Sequence, residues 1–174
     1  MAILKIARLG HPVLIRPADP VQDPTAPEIR RLIADMAETM EDAQGLGLAA
    51  PQVHVPLRLF VWRGGAGNVI AIINPEIEPV GEEMEDGWEG CLSIPGLRGS
   101  VPRAARIRFR GLDMEGKPVE GEAAGLAARV IQHETDHLDG VIYPMRMTDF
   151  TLFGFTEELA KAAAAARAPE GSKP

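Results

Sequence analysis

Gln132-His133-Glu134-Thr135-Asp136-His137 constrains this chain more than any other stretch. Its two histidines stand at i and i+4. On an α-helix, four steps of about 100° bring side chains nearly back into line, so both imidazoles leave one face. Two imidazoles on one face can hold a divalent metal, with Glu134 beside it as a base. The pattern therefore asks for a helix whose neighbours supply further donors. On its own, so short a pattern fits two half-buried structural histidines equally well. The rest of the chain decides.

The helix is predicted from about Gly125 to Leu138, ended by Gly140. Leu126 and Val130 fall on the face of His133 and His137, so an apolar wall leads up to the metal site. The chain has 174 residues, 45% of them apolar, which suits one domain with one core (residues 1–174, with 168–174 a frayed tail). Its net charge of -7 argues against general nucleic-acid binding, which needs clustered Lys and Arg. No run of about 18 apolar residues offers a membrane span. The start, Met1 to Ile15, lacks a signal or transit layout, and a cytoplasmic protein is expected.

Four prolines in residues 1–26 predict an extended, turn-rich arm, in which His11 caps a turn. A helix from Pro27 follows, with Ile29, Leu32, Ile33, Met36 and Met40 as a core stripe and Gly45 as the left-handed stop. Short β-runs are expected at 57–62, 69–73 and roughly 78–85. Glycines 64, 65 and 67 turn the first into the second. Trp88–Gly96 is expected to interrupt the pattern. Arg106–Arg110 alternates charged and apolar residues, a half-exposed antiparallel strand that Asp113–Gly116 turns back into 117–123. An Ala-rich helix, capped by Thr156, is expected from about Glu157 to Arg167.

A catalytic site of zinc type uses three protein ligands and an open position. No histidine follows His137. Glu157 and Glu158 are available but belong to what reads as a separate surface helix. Cys91, the one cysteine, is the better third donor: a thiolate suits Fe²⁺ or Zn²⁺, and the metal would deprotonate it. Gly45–Gln52 (GLGLAAPQ) lacks the Lys and Ser/Thr of a phosphate loop. It reads as a tight turn where another backbone or a ligand comes close.

Together GLGLAAPQ, EGCLS (Glu89–Ser93) and QHETDHLDG (Gln132–Gly140) resemble the three signature motifs of peptide deformylase, in order and separation. The resemblance runs from the N-terminal arm to Phe155. It implies an α+β fold of mixed, mainly antiparallel sheets around the H-E-x-x-H helix, with an N-terminal and a C-terminal helix. It implies removal of formyl from the N-terminal formyl-methionine of new chains. Cys91, His133 and His137 would bind the metal, Fe²⁺ in the cell, with Zn²⁺, Ni²⁺ or Co²⁺ able to substitute. Glu134 would move the proton, and Gln52 and the Leu92 N–H would hold the oxyanion. Leu46, Leu126 and Val130 are candidates for the methionine slot. The resemblance adds that Gly47 and Gly90 bond the peptide backbone, that Arg98 flanks the mouth, and that Glu89 pairs with Arg103, which is expected to be a structural salt bridge. Asp136 would orient neighbours.

Arg129 departs from the small or apolar residue often found at its position, and is expected to snorkel at the pocket rim. Some members dock on the ribosome through a basic C-terminal helix. Glu157, Glu158 and the alanine run argue against such docking here. A zinc endopeptidase and a non-catalytic metal-bound module are the competing readings.

Overall fold

The computed structural model describes residues 2–167, so the tail expected to fray at 168–174 lies outside the described residues. Eight strands form two sheets. A five-stranded sheet runs in the order β1 (Gly47–Ala49), β2 (Leu59–Arg63), β3 (Val69–Pro79), β6 (Arg106–Leu112), β7 (Pro118–Ala124). A three-stranded sheet runs β4 (Met84–Cys91), β5 (Ile94–Ala104), β8 (Phe153–Phe155). Every strand pairing within these sheets is antiparallel, and a lone parallel bridge joins Asp19 to Leu57. The expected α+β class therefore holds.

Helix α1 (Pro27–Asp42) starts on Pro27, whose fixed φ suits the first helical position. It buries Ile29, Ile33, Met36 and Met40 against Leu48, Leu59, Val61 and Ile73 of the larger sheet. The methionine pair is core filling. Helix α2 (Gly125–Leu138) packs against both sheets, touching β1, β2, β3, β6 and β7 on one side and β5 on the other. Ala128, Ile131 and Leu138 join Phe60, Trp62, Ile72 and Ile107 in its core. Removing the Ile131 side chain beyond Cβ would cost about 2–5 kcal/mol, as for any fully buried aliphatic group. Helix α3 (Thr156–Arg167) closes the described chain.

Several polar groups tie α2 to its neighbours. Gln132 accepts from the Ala104 N–H and donates to the Ala104 carbonyl, which locks the helix to the end of β5. Arg58 donates to the Leu138 carbonyl at the helix end, where the Ala18 N–H also donates. Gly140 has φ +73°, and a Cβ there would lie 2.8 Å from the Arg16 backbone, so this stop needs glycine for both reasons. The N-terminal arm donates from Ala7 to the Gln52 carbonyl and from Leu9 to the Ser93 carbonyl, which ties together two segments far apart in sequence. His11 caps its turn by accepting from the Val13 N–H.

Several expectations are corrected. The left-handed residue after α1 is Gln44, φ 55°, rather than Gly45. Gly45 is small for another reason: a Cβ there would sit 2.9 Å from Leu92 Cδ1. The run expected at 78–85 does not form as one strand. β3 continues to Pro79 through an irregularity between Ile73 and Glu76, and a turn separates it from β4. Trp88–Cys91 does not interrupt the pattern either. It belongs to strand β4, whose pairing with β5 shifts register only between Gly90 and Cys91, and Leu92-Ser93 is the turn into β5. Thr156 is the first residue of α3 and not a cap ahead of it.

Candidate metal centre

Two elements bring the donors together. Helix α2 contributes His133, Glu134 and His137 from one face, and the rings of the two histidines lie edge to face 5.0 Å apart. Strand β4 ends on Cys91, where the pairing with β5 shifts register between Gly90 and Cys91. That shift at the turn presents the thiol to α2. Cys91 Sγ lies 3.2 Å from His137 Nε2, and one donor atom from each of Cys91, His133 and His137 falls within 4.8 Å of the others. Among the described residues no other His, Cys, Asp or Glu cluster of this kind exists. Glu157 and Glu158 are exposed on α3, and Glu158 pairs with Lys161.

The donor set fits a metal on its chemistry. A thiolate and two imidazoles suit Fe²⁺ or Zn²⁺. His133 Nδ1 lies 2.8 Å from Glu89 Oε2. A carboxylate there accepts the Nδ1–H hydrogen bond, which leaves Nε2 free as a ligand. Burial would raise the Cys91 thiol, but positive charge on His137 and hydrogen bonds from both histidines hold it well below the ordinary thiol range. His133 moves the other way: burial opposes its protonation, while Cys91 and Glu89 raise it well above its usual value. The thiolate is the negative charge that a cation placed there would balance, and the cation would take the place of protons on the ligand atoms.

Glu134 is 4% exposed, and its Oε2 has no hydrogen-bond partner among the described residues. Burial, the largest influence, pushes its carboxyl up to about 7 against the pull of the two imidazoles. A base with a value near neutrality can both take and return a proton. Gln52 also reaches the sulfur. Its Oε1 accepts from the Ala49 N–H at 2.9 Å, which leaves Nε2 aimed at Cys91 Sγ (3.4 Å) and Ser93 Oγ (3.2 Å). The side-chain amide thus presents a donor at the site.

Glu89 does more than the structural salt bridge expected of it. Arg103 forks onto it through Nε at 2.8 Å and Nη2 at 2.9 Å, and Arg129 Nη1 donates to Oε1 at 2.9 Å. With His133 on Oε2, the carboxylate receives donors from two arginines and an imidazole. Burial would raise Glu89; its hydrogen bonds to Arg103 and His133 outweigh that and hold it at about 2. Arg103 Nη1 also reaches Asp136 Oδ2 at 2.6 Å, and Arg146 donates to the same carboxylate. Asp136 thus orients its neighbours as expected. Arg129 corrects the sequence reading: it is 9% exposed and its guanidinium is enclosed rather than snorkelling at the rim.

A cavity of about 540 Å³ opens on the site. Its lining includes all six expected substrate contacts: Leu46, Gly47, Gly90, Arg98, Leu126 and Val130. Leu46, Leu126 and the unforeseen Trp88 are exposed apolar groups at this cavity. Two further residues escaped the sequence reading: Ser93, the partner of Gln52, and Tyr143, whose ring stacks 6.0 Å from that of His133. Nothing local marks Tyr143.

Two imidazoles from a helix, a thiol from a hairpin and a buried carboxylate beside them are the parts of a mononuclear metallohydrolase. The family model described as polypeptide deformylase matches residues 3–152, and the chain belongs to that family. It is 52% identical over 163 residues to peptide deformylase 1 of Bordetella pertussis, covering 88% of this chain and 93% of the relative. The crystal structure of peptide deformylase from Thermotoga maritima superposes with a TM-score of 0.82 at 40% identity, over 86% of this chain and all of the other. A Met-Ala-Ser-bound class I type b peptide deformylase from Acinetobacter baumannii gives 0.78 at 34% identity, over 84% of this chain and 99% of the other.

Proposed function

We propose that Cys91, His133 and His137 hold one divalent ion and that Glu134 moves the proton in the reaction at this centre. The chain is a hydrolase that removes the formyl group from the N-terminal formyl-methionine of new polypeptides and releases formate. The supporting observation is the convergence of one thiol with the two imidazoles of an H-E-x-x-H helix, beside a buried carboxylate with an unpartnered oxygen.

Cys91, His133 and His137 would hold the ion, which would supply Lewis acidity toward the formyl carbonyl and lower the pKa of water toward neutrality. Glu134 takes the proton of the attacking water and returns it to the amide nitrogen as the C–N bond breaks, which leaves formate and a free amine. Gln52 Nε2–H and the Leu92 N–H donate to the carbonyl oxygen as it gains charge. Glu89 keeps the proton of His133 on Nδ1. The walls at Leu46, Leu126 and Val130 accept the unbranched methionine side chain, while Gly47 and Gly90 leave room for the peptide backbone. The Met-Ala-Ser ligand of the Acinetobacter structure suits such a slot.

Fe²⁺ is the ion proposed in the cell, with Zn²⁺, Ni²⁺ or Co²⁺ able to substitute. Residues 1–174 are read as one catalytic domain acting in the cytoplasm; no helix among the described residues is long and apolar enough to cross a membrane. The acidic first turn of α3 offers no basic surface for ribosome docking. The test is formate release from a formyl-Met peptide by anaerobically purified protein, with its metal content measured alongside. Cleavage inside unformylated peptides instead would favour an endopeptidase.

A further inference from the structure

We infer that Arg129 is a positioning residue for the metal centre: it fixes the hairpin carrying Glu89 and Cys91 to the helix carrying His133. The inference rests on the metal site proposed above. Arg129 stands on α2, one turn before His133. Its guanidinium crosses to β4 and β5 and meets four acceptors: the carbonyls of Glu85 at 2.6 Å, Val101 at 2.7 Å and Gly87 at 3.3 Å, and Glu89 Oε1 at 2.9 Å. Three of these are backbone groups on both strands of the hairpin. An arginine used only to balance the charge of Glu89 would have no need of them.

The hairpin is shaped to receive this group. A Cβ on Gly87 would lie 2.7 Å from Arg129 Cζ and 2.8 Å from its Nε, so the guanidinium lies flat over a position where only glycine fits. Two metal donors are linked by this contact. Through Glu89, Arg129 bears on His133, which Glu89 Oε2 holds at 2.8 Å. Through the backbone of β4, it bears on Cys91, two residues beyond Glu89. Arg103 also holds Glu89 and reaches α2 through the Asp136 carboxylate, but its backbone belongs to β5, within the hairpin itself, and it bonds none of the hairpin carbonyls that Arg129 bonds. Arg129 reaches it from the metal-binding helix. Without Arg129, the hairpin keeps its strand pairing but its distance from α2 is less firmly set.

Co²⁺ bound to a thiolate gives a near-ultraviolet sulfur-to-metal absorption, a readout independent of turnover. The experiment loads the full chain with Co²⁺ and follows this absorption while a chelator removes the ion. Wild type, Arg129→Met, Arg129→Lys, Gly87→Ala and Cys91→Ser are compared, with folding checked by circular dichroism. Arg129→Met and Gly87→Ala are expected to lose Co²⁺ about tenfold faster than wild type, the lower end for partners behind a ligand, with a weakened or shifted absorption. Arg129→Lys should behave likewise, because one ammonium cannot span four oxygens. Should Arg129→Met not fold, Arg129→Lys and Gly87→Ala carry the test. Folded variants with unchanged spectrum and release overturn the inference, even if they melt earlier. A wild-type spectrum identical to that of Cys91→Ser overturns the metal-site reading as well, and so marks that failure apart.

Discussion

Gly47 and Glu134 occupy the same space: a Cβ on Gly47 would lie 2.6 Å from Glu134 Cδ and 2.8 Å from its Cγ. The first residue of β1 therefore lacks a side chain because the base of the H-E-x-x-H helix lies against its backbone. This couples the glycine-rich segment to the chemistry of α2. On the proposed mechanism, Gly47 makes room for the Glu134 carboxylate as well as for the peptide backbone. Gly47→Ala should displace the carboxylate and lower kcat by about a hundredfold or more, the scale of a lost general base. Gly47 has no left-handed φ, so the backbone itself is not strained. Formate-release kinetics beside a melting curve check this: normal kcat in a folded variant would show that Glu134 need not lie there.

Glu134→Gln keeps the shape and removes the proposed proton carrier. Metal content should stay near one ion per chain, while kcat falls by about 10²–10⁴-fold. Near-normal formate release from the metal-loaded variant would remove Glu134 from the mechanism.

The same carboxylate gives the chelator-treated protein a pH signature. Burial raises Glu134 from 4.5 to about 7, so the folded chain holds a proton that the unfolded chain has released between those values. Its contribution to stability is present below 4.5 and is lost as pH rises through 7. The loss is on the order of 3 kcal/mol, at about 1.4 kcal/mol for each tenfold change in proton affinity. Wild type should therefore lose stability relative to Glu134→Gln between pH 5 and pH 8 in denaturant titrations. Parallel curves for the two proteins would contradict this.

Gln52 joins a proposed oxyanion donor, Nε2, to a structural acceptor, Oε1, and Gln52→Leu removes both. Loss of the Nε2 donor should lower kcat by about 10²–10³-fold with modest change in KM. Loss of Oε1 leaves the buried Ala49 N–H unpaired, at about 1–3 kcal/mol of stability. A rise in KM alone would assign Gln52 to substrate binding.

Chelation should abolish turnover, and Fe²⁺ added without air should restore it. In air the iron form should decay, since both Fe²⁺ and the Cys91 thiolate are oxidisable. Iron-loaded protein that keeps its activity through hours of aeration would count against Fe²⁺ as the working ion.

Much of this was legible in the chain itself because its signals are local. The 126, 130, 133, 137 spacing and Gly140 gave α2 its observed bounds, Gly125–Leu138. The alternation of Arg106, Arg108 and Arg110 marked β6, where Arg108 and Arg110 pair in solvent with Glu76, Glu78 and Glu122. What stayed hidden depends on contacts across the fold. β3 outruns its apolar run because Asn74, φ 51°, sits in an irregular stretch that the strand passes through. β4 has little alternation to show, since Gly87 answers to a guanidinium from α2 and Glu89 to two arginines and His133. Arg129 read as a rim cation because burial of a charge is decided by carbonyls distant in sequence.

The central claim is that Cys91, His133 and His137 hold one ion together. X-ray absorption at the metal edge of the Fe²⁺- or Zn²⁺-loaded protein tests it most directly. The expected result for zinc is one sulfur at about 2.3 Å and two imidazole nitrogens at about 2.0–2.1 Å, with lighter atoms filling the rest. A shell of nitrogen and oxygen alone, unchanged in Cys91→Ser, would contradict it.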